Sequence, residues 1–164
     1  MKTRLLIPCL IAAFVLGLSM PPAFAAREVS SWKKIAGHST SCALVRASIN
    51  SDNRRAGGQT ANFNGCSASN STRAVPPGYI GVYAMVLSSA NNACSELSPV
   101  PVYNTVTTSS ITATMPLRTP PTSQCPEVSY YHGAAVGRRY LESSGEYEVA
   151  RSYDSGDVAF LSVP

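Results

Sequence analysis

Short runs of alternating apolar and polar residues, separated by clusters of Gly, Pro, Ser and Asn, recur along most of the chain and predict strands. Residues 41–49 and 59–67 read as two strands flanking the turn-rich stretch 50–58. Pro76-Pro77-Gly78 marks a turn and opens residues 79–87, which are apolar at both alternating positions, as a buried central strand requires. Residues 100–106 and 110–115 are short Thr-, Ser- and Val-rich strands punctuated by Pro99, Pro101 and Pro116. Proline donates no ladder hydrogen bond, so both suit sheet edges. Residues 128–141 and 146–153 form the clearest hairpin, joined by 142–145. Pairing across that loop sets Tyr140 opposite Tyr147 and Arg139 opposite Glu148, an aromatic pair on one face and a charge pair on the other. A slip of one residue would turn both pairs to the wrong faces, which argues for this register. Residues 158–163 read as a last short strand.

One segment departs from this pattern. Val29, Trp32 and Ile35 or Ala36 fall at helical spacing with Gly37 as a stop, so residues 29–36 read as a short helix, with an arm or an N-terminal strand as competing readings. The fold class expected is all-β: a single antiparallel, sandwich-like domain of about seven or eight strands over residues 39–164, preceded by an arm or short helix over 26–38.

The first 25 residues have a different character. Lys2 and Arg4 precede a 14-residue apolar run ending at Leu18, and Ala23-Phe24-Ala25 places small residues before a cut. That is the layout of a secretory signal peptide, and the run is too short for a bilayer span of roughly 20 residues. The expectation is therefore a secreted, extracellular protein with no membrane insertion after cleavage. Cleavage would leave 11 basic against 9 acidic residues, a balance of +2 with no electrostatic footprint for nucleic acid. The low charged fraction, 13%, also excludes a coiled coil or a charged disordered tail.

Cys9 would leave with the signal peptide, and Cys42, Cys66, Cys94 and Cys125 would remain. An even number in an oxidising compartment predicts two disulfides, and the wide gaps exclude a zinc site built on close ligand pairs. Four cysteines allow three connectivities. Folding about the centre of 50–58 brings Cys42 opposite Cys66, and Cys94 and Cys125 bracket a second turning region near 104–110. The pairs expected are Cys42–Cys66 and Cys94–Cys125.

Between residues 75 and 160 the chain resembles a group of small secreted actinobacterial proteins of no assigned function. The resemblance rests on Val75-Pro76-Pro77-Gly78-Tyr79-Ile80-Gly81-Val82, on Cys94 followed by Tyr103-Asn104, on Cys125 followed by Tyr130-Tyr131-His132-Gly133, and on the hairpin with Gly145, Tyr147 and Tyr153. It implies export, a β fold and the Cys94–Cys125 bridge. It carries no catalytic residue over.

Candidate chemistry is sparse. His38 and His132 are the only side chains that titrate near neutrality, and no nucleophile elbow, zinc helix, phosphate loop or calcium-loop spacing is present. No catalytic residue, metal site or cofactor is implied. Asp154-Ser155-Gly156-Asp157 offers two carboxylates, short of the roughly 6–8 oxygens calcium takes, and reads as a turn. Asn70-Ser71-Thr72 matches a glycosylation acceptor, which matters only in a host that glycosylates. Glu148, His132, Arg138, Arg139 and Arg151 loosely match the general base, acid and phosphate-binding arginines of a small ribonuclease, although strand parity divides them between two faces. Tyrosine is abundant, at eight residues, and exposed tyrosines on a rigid sheet make adhesive contact surfaces. The leading expectation is a non-catalytic binding module whose partner is a protein or a cell-surface glycan. Its candidate surface comprises Tyr131, His132, Arg138, Arg139, Tyr147 and Arg151. An exported antagonist, such as a bacteriocin or an inhibitor presenting the 50–58 loop, is the alternative, and the ribonuclease a second.

Overall fold

The computed structural model describes residues 27–153, apart from 39, 52, 97, 119, 127 and 128, together with 158–160. The signal segment, the 154–157 turn and residues 161–164 lie outside the described residues.

Alternation does most of the organising. In β3 (Ser41–Asn50), Ala43, Val45, Ala47 and Ile49 are buried on one face. A tight turn leads into β4 (Arg55–Phe63), which pairs antiparallel with β3 and, on its other side, with β7 (Ser110–Pro116). The free edge of β3 is shared end to end by β1 (Arg27–Val29) and β2 (Lys33–His38), completing a five-stranded sheet. The second five-stranded sheet is centred on β5 (Ile80–Ser88) and β8 (Ser129–Leu141). β6 (Val102–Tyr103) lies on the far edge of β5, while β9 (Glu146–Tyr153) and β10 (Val158–Phe160) share the far edge of β8. Every pairing is antiparallel, and there is no helix among the described residues.

The helical spacing at 29–36 has a different cause. β2 runs antiparallel to β3 with a bulge between Lys34 and Ala36, and both Ile35 and Ala36 are buried. A bulge lets successive residues serve one face, so the apolar spacing drifts off the strand period and imitates a helix.

The 50–58 stretch is likewise shorter as a loop than its glycines suggest. β4 already starts at Arg55, and Arg54 takes a positive φ in the turn. Gly57 and Gly58 belong to the strand. A Cβ on Gly58 would lie 2.9 Å from both the Ala135 Cβ and the Val82 Cγ2 of the other sheet. A Cβ on Gly137 would lie 2.5 Å from the Ile35 Cδ1, 2.6 Å from the Val45 Cβ and 2.7 Å from the Thr60 Oγ1. The glycines mark where the two sheets touch, not where the chain turns.

This shifts the hairpin register. Cys42 pairs with Phe63, not with Cys66. The chain then turns through Gly65, at φ 72°, and brings Cys66 back to Cys42 with an S–S distance of 2.01 Å. The second bridge, Cys94–Cys125, has both sulfurs in a buried cluster with Ile49, Val86, Leu117 and Tyr131. It ties the β5–β6 connection to the β7–β8 connection.

Polar groups inside are paired across the sheets. The buried Thr60 hydroxyl donates to the Gly81 carbonyl at 2.9 Å, and the Ser30 and Ser152 hydroxyls meet at 2.9 Å. Asn104 donates to the Pro76 and Val106 carbonyls while its Oδ1 accepts from the Ile80 amide, pinning the turn before β5.

Two stability changes are expected. Gly137→Ala overpacks a site walled by three side chains and should cost about 1–3 kcal/mol, whereas Gly57→Ala meets only the movable Ser48 hydroxyl closely and should cost far less. Replacing Cys94 and Cys125 together by Ser opens a separation of 31 residues and should cost about 3–4 kcal/mol. Denaturant midpoints measure both; equal midpoints for the two glycine variants would contradict the close approach.

Candidate functional site

The loop Glu142-Ser143-Ser144-Gly145 fixes the β8–β9 hairpin through a bond from the Gly145 amide to the Leu141 carbonyl, with Gly145 at φ 71°. Tyr140 then stands opposite Tyr147 and Arg139 opposite Glu148. Reading outward from that register, β5, β6, β8 and β9 turn the same set of alternate positions to the outer face of the second sheet. Seven of the eight tyrosines occupy that face or its rim: 79, 83, 103, 130, 140, 147 and 153.

At one end the rings form a continuous chain. Tyr79 and Tyr140 have centroids 5.5 Å apart, Tyr140 and Tyr147 5.3 Å, and Tyr147 and Tyr103 5.1 Å. Tyr103 lies over Gly81, where a Cβ would come within 2.7 Å of the ring. Arg138 Nη1 donates to the Tyr103 hydroxyl at 3.1 Å, and the Tyr147 hydroxyl donates to the Gly78 carbonyl at 2.6 Å. Arg139 lies with its guanidinium 5.4 Å from the Tyr79 ring centre, and the Tyr79 hydroxyl donates to the Glu142 carboxylate. Beside these rings opens a cavity of about 420 Å³, lined by Arg73, Arg139, Tyr79, Tyr140 and Glu142 among others.

Surroundings tune these groups. The bond to Glu142 raises the Tyr79 phenol above its ordinary value, and desolvation does the same for Tyr147. Burial lowers the Arg139 guanidinium. At the other end of the face, Arg151 Nη1 donates to the Tyr153 hydroxyl at 3.2 Å, a contact that raises the Arg151 pKa. The Tyr153 ring lies 6.0 Å from that of His132, whose Nε2 is 3.1 Å from Asn91 Oδ1.

Arg138 and Tyr147 therefore meet at Tyr103. Arg139 lies on the opposite face of β8 and reaches this end only through the Tyr79 ring, and His132 and Arg151 form a second group through Tyr153. Tyr131 does not belong to the surface. It is 0% exposed, points into the core beside both sulfurs of the Cys94–Cys125 bridge, and its hydroxyl donates to the Pro126 carbonyl. Parity explains this, since Tyr131 lies on the face opposite Tyr130. Tyr79, Tyr83, Tyr103, Tyr130, Tyr140 and Tyr153 are additional members of the face. Alternation along the strands of 79–87, 128–141 and 146–153 could have supplied five of them, whereas Tyr103 depends on a strand pairing that no local pattern signals.

The ribonuclease arrangement does not form. Glu148 pairs opposite Arg139, seven residues along β8 from His132, which is about 23 Å at the usual strand rise. Nor does Arg139 form the surface ion pair with Glu148 that their register suggests; it turns to Tyr79. The inhibitor loop is reduced to the tight β3–β4 turn. Among the described residues no three His, Cys, Asp or Glu side chains are grouped to hold a metal, and no helix is long and apolar enough to cross a membrane. Stacked phenols with hydrogen-bonded guanidiniums can bind ring faces, C–H-rich faces and polar groups. They hold no activated nucleophile.

No protein-family model, curated protein or solved structure matches this chain.

Three phenols, Tyr79, Tyr131 and Tyr147, have pKa values raised in the folded state, the first by Glu142 and the others by burial. The unfolded chain therefore loses these protons first, so their contribution is fully present up to about pH 10 and is lost as pH rises through the raised values. Phenolate absorbance should show a late-titrating group of tyrosines, with the unfolding midpoint dropping over the same range. Tyr147→Phe should remove part of the late absorbance; its persistence in full would contradict the assignment.

Proposed function

We propose that this chain is an exported, disulfide-stabilised β-sandwich acting as a non-catalytic binding module, which engages a protein or cell-surface glycan through the tyrosine-rich outer face of the second sheet. The observation that carries the reading is the segregation of seven tyrosines, with Arg138 and Arg151, onto one side of one sheet. Rings mounted on paired strands are already ordered, so binding costs little side-chain entropy. Guanidiniums bonded to phenol hydroxyls add directional donors.

Two disulfides support an oxidising compartment and hence export. The shared core of Ile35, Val45, Ile80 and Val82 supports the sandwich arrangement. The resemblance to small secreted actinobacterial proteins spans 75–160, the stretch that builds most of this sheet, and we place the chain with that group as part of the same proposal.

The test is capture. Immobilised protein incubated with culture supernatant and solubilised cell envelope should retain a saturable ligand. The Tyr103→Ala/Tyr147→Ala variant should lose at least about tenfold in affinity, as hot-spot aromatics do. A cooperative denaturant transition checks that the variant is still folded. Undiminished retention by the variant, or turnover of the retained material by the parent protein, would refute the reading.

A further inference from the structure

The opposite side of the molecule carries a second feature with a chemistry of its own. On the outer face of the first sheet, cross-strand pairing stacks three rows. Arg27, Asn50 and Arg55 form one, Val29, Ser48, Gly57 and Thr114 the next, and Arg46, Gln59 and Thr112 the third. The middle row is low because Gly57 has no side chain, and a Cβ there would meet only the Ser48 hydroxyl within 3.5 Å. Two adjoining cavities of about 280 and 290 Å³ follow this depression and share Arg27, Ser48, Gly57 and Thr114.

The charge is one-sided. Three arginines line the two cavities, and among the described residues no acidic one does. Arg46 is held by its bond to Gln59 at 2.9 Å and by the Trp32 ring, 4.5 Å away. Arg27 and Arg55 are exposed. The rows bearing Arg27 and Arg55 on one side and Arg46 on the other are four residues apart, about 13 Å at the usual rise. One small anion cannot span that distance, but an extended chain with repeated negative groups meets both rows. Between the arginines the walls offer hydroxyls and amides from Ser48, Thr112, Thr114 and Gln59, which suit a polyhydroxylated chain. Among the described residues no aromatic side chain lines the depression, so their lining offers no platform on which nucleic acid bases stack.

We infer that the outer face of the first sheet is a binding groove for an acidic polysaccharide, its carboxylate or sulfate groups taken by Arg27, Arg55 and Arg46 and its hydroxyls by the row between them. This site is independent of the tyrosine face.

The disulfide-bonded protein is titrated calorimetrically with polygalacturonate, dextran sulfate, neutral dextran and single-stranded DNA at low and moderate salt. Binding of one or both acidic polysaccharides is expected, weakening as salt rises, with none to neutral dextran; which of the two binds distinguishes carboxylate from sulfate. Arg27→Gln/Arg55→Gln should lose at least about tenfold in affinity, while Lys33→Gln/Lys34→Gln, which removes the same charge from β2 outside the groove, should stay within about twofold. Gly57→Leu fills the floor without altering charge and should weaken binding as much as the arginine variant does. No binding to either acidic polysaccharide overturns the inference. So does equal loss in the lysine variant, undiminished binding by Gly57→Leu, or single-stranded DNA bound as tightly as the polysaccharide.

Discussion

The architecture turns on the close approach of its two sheets at Gly58 and Gly137. Each glycine admits side chains of the facing sheet into the space its own Cβ would fill, Ala135 and Val82 over Gly58, and Ile35, Val45 and Thr60 over Gly137. Close packing is what makes burial effective, because a gap of even 1 Å forfeits much of the dispersion attraction. The residues between are correspondingly small or β-branched: Ala43, Val45, Ala47, Val82 and Ala135. Thr60 adds a hydrogen bond across the same gap to Gly81, so the contact is directional as well as apolar.

A thin interior also decides where the large side chains go. Aromatic rings do not fit between sheets that meet at glycine. Among the described residues the exception is Tyr131, which lies where the core also holds the Cys94–Cys125 bridge, Ile49 and Leu117. The other tyrosines are turned outward, and so are Trp32 and Phe63, which pack edge to face at 5.3 Å outside the first sheet. The aromatic face is thus partly a consequence of core geometry. Its ordering into a contiguous chain of rings goes further than exclusion from the core requires.

The hairpin 128–153 was legible because two pairs of unlike chemistry, Tyr140 with Tyr147 and Arg139 with Glu148, agree on one register. The central strand was legible from an apolar run too short for a helix and too uniform for an exposed strand. Less was readable where a residue has two uses. Gly57 and Gly58 serve in a strand, though glycine pairs ordinarily mark turns, and only the facing sheet reveals why. The bulge in β2 disguised a strand as a helix for a related reason, since local spacing carries no record of pairing. Tyr131 and Tyr130 are adjacent and chemically identical, and their separation into core and surface depends on which face of β8 the first sheet covers.

The Ser30–Ser152 hydrogen bond joins the connection between β1 and β2 to the penultimate position of β9, across 122 residues of chain. The Ser30 hydroxyl also accepts from the nearby Ala47 amide at 2.8 Å, but the Ser152 hydroxyl meets it only when almost the whole polypeptide is available. Assembly is therefore dominated by contacts between distant parts of the chain, a topology associated with folding times of milliseconds to seconds rather than microseconds. A molecule wired in this way becomes rigid only once the far end of its chain is in place.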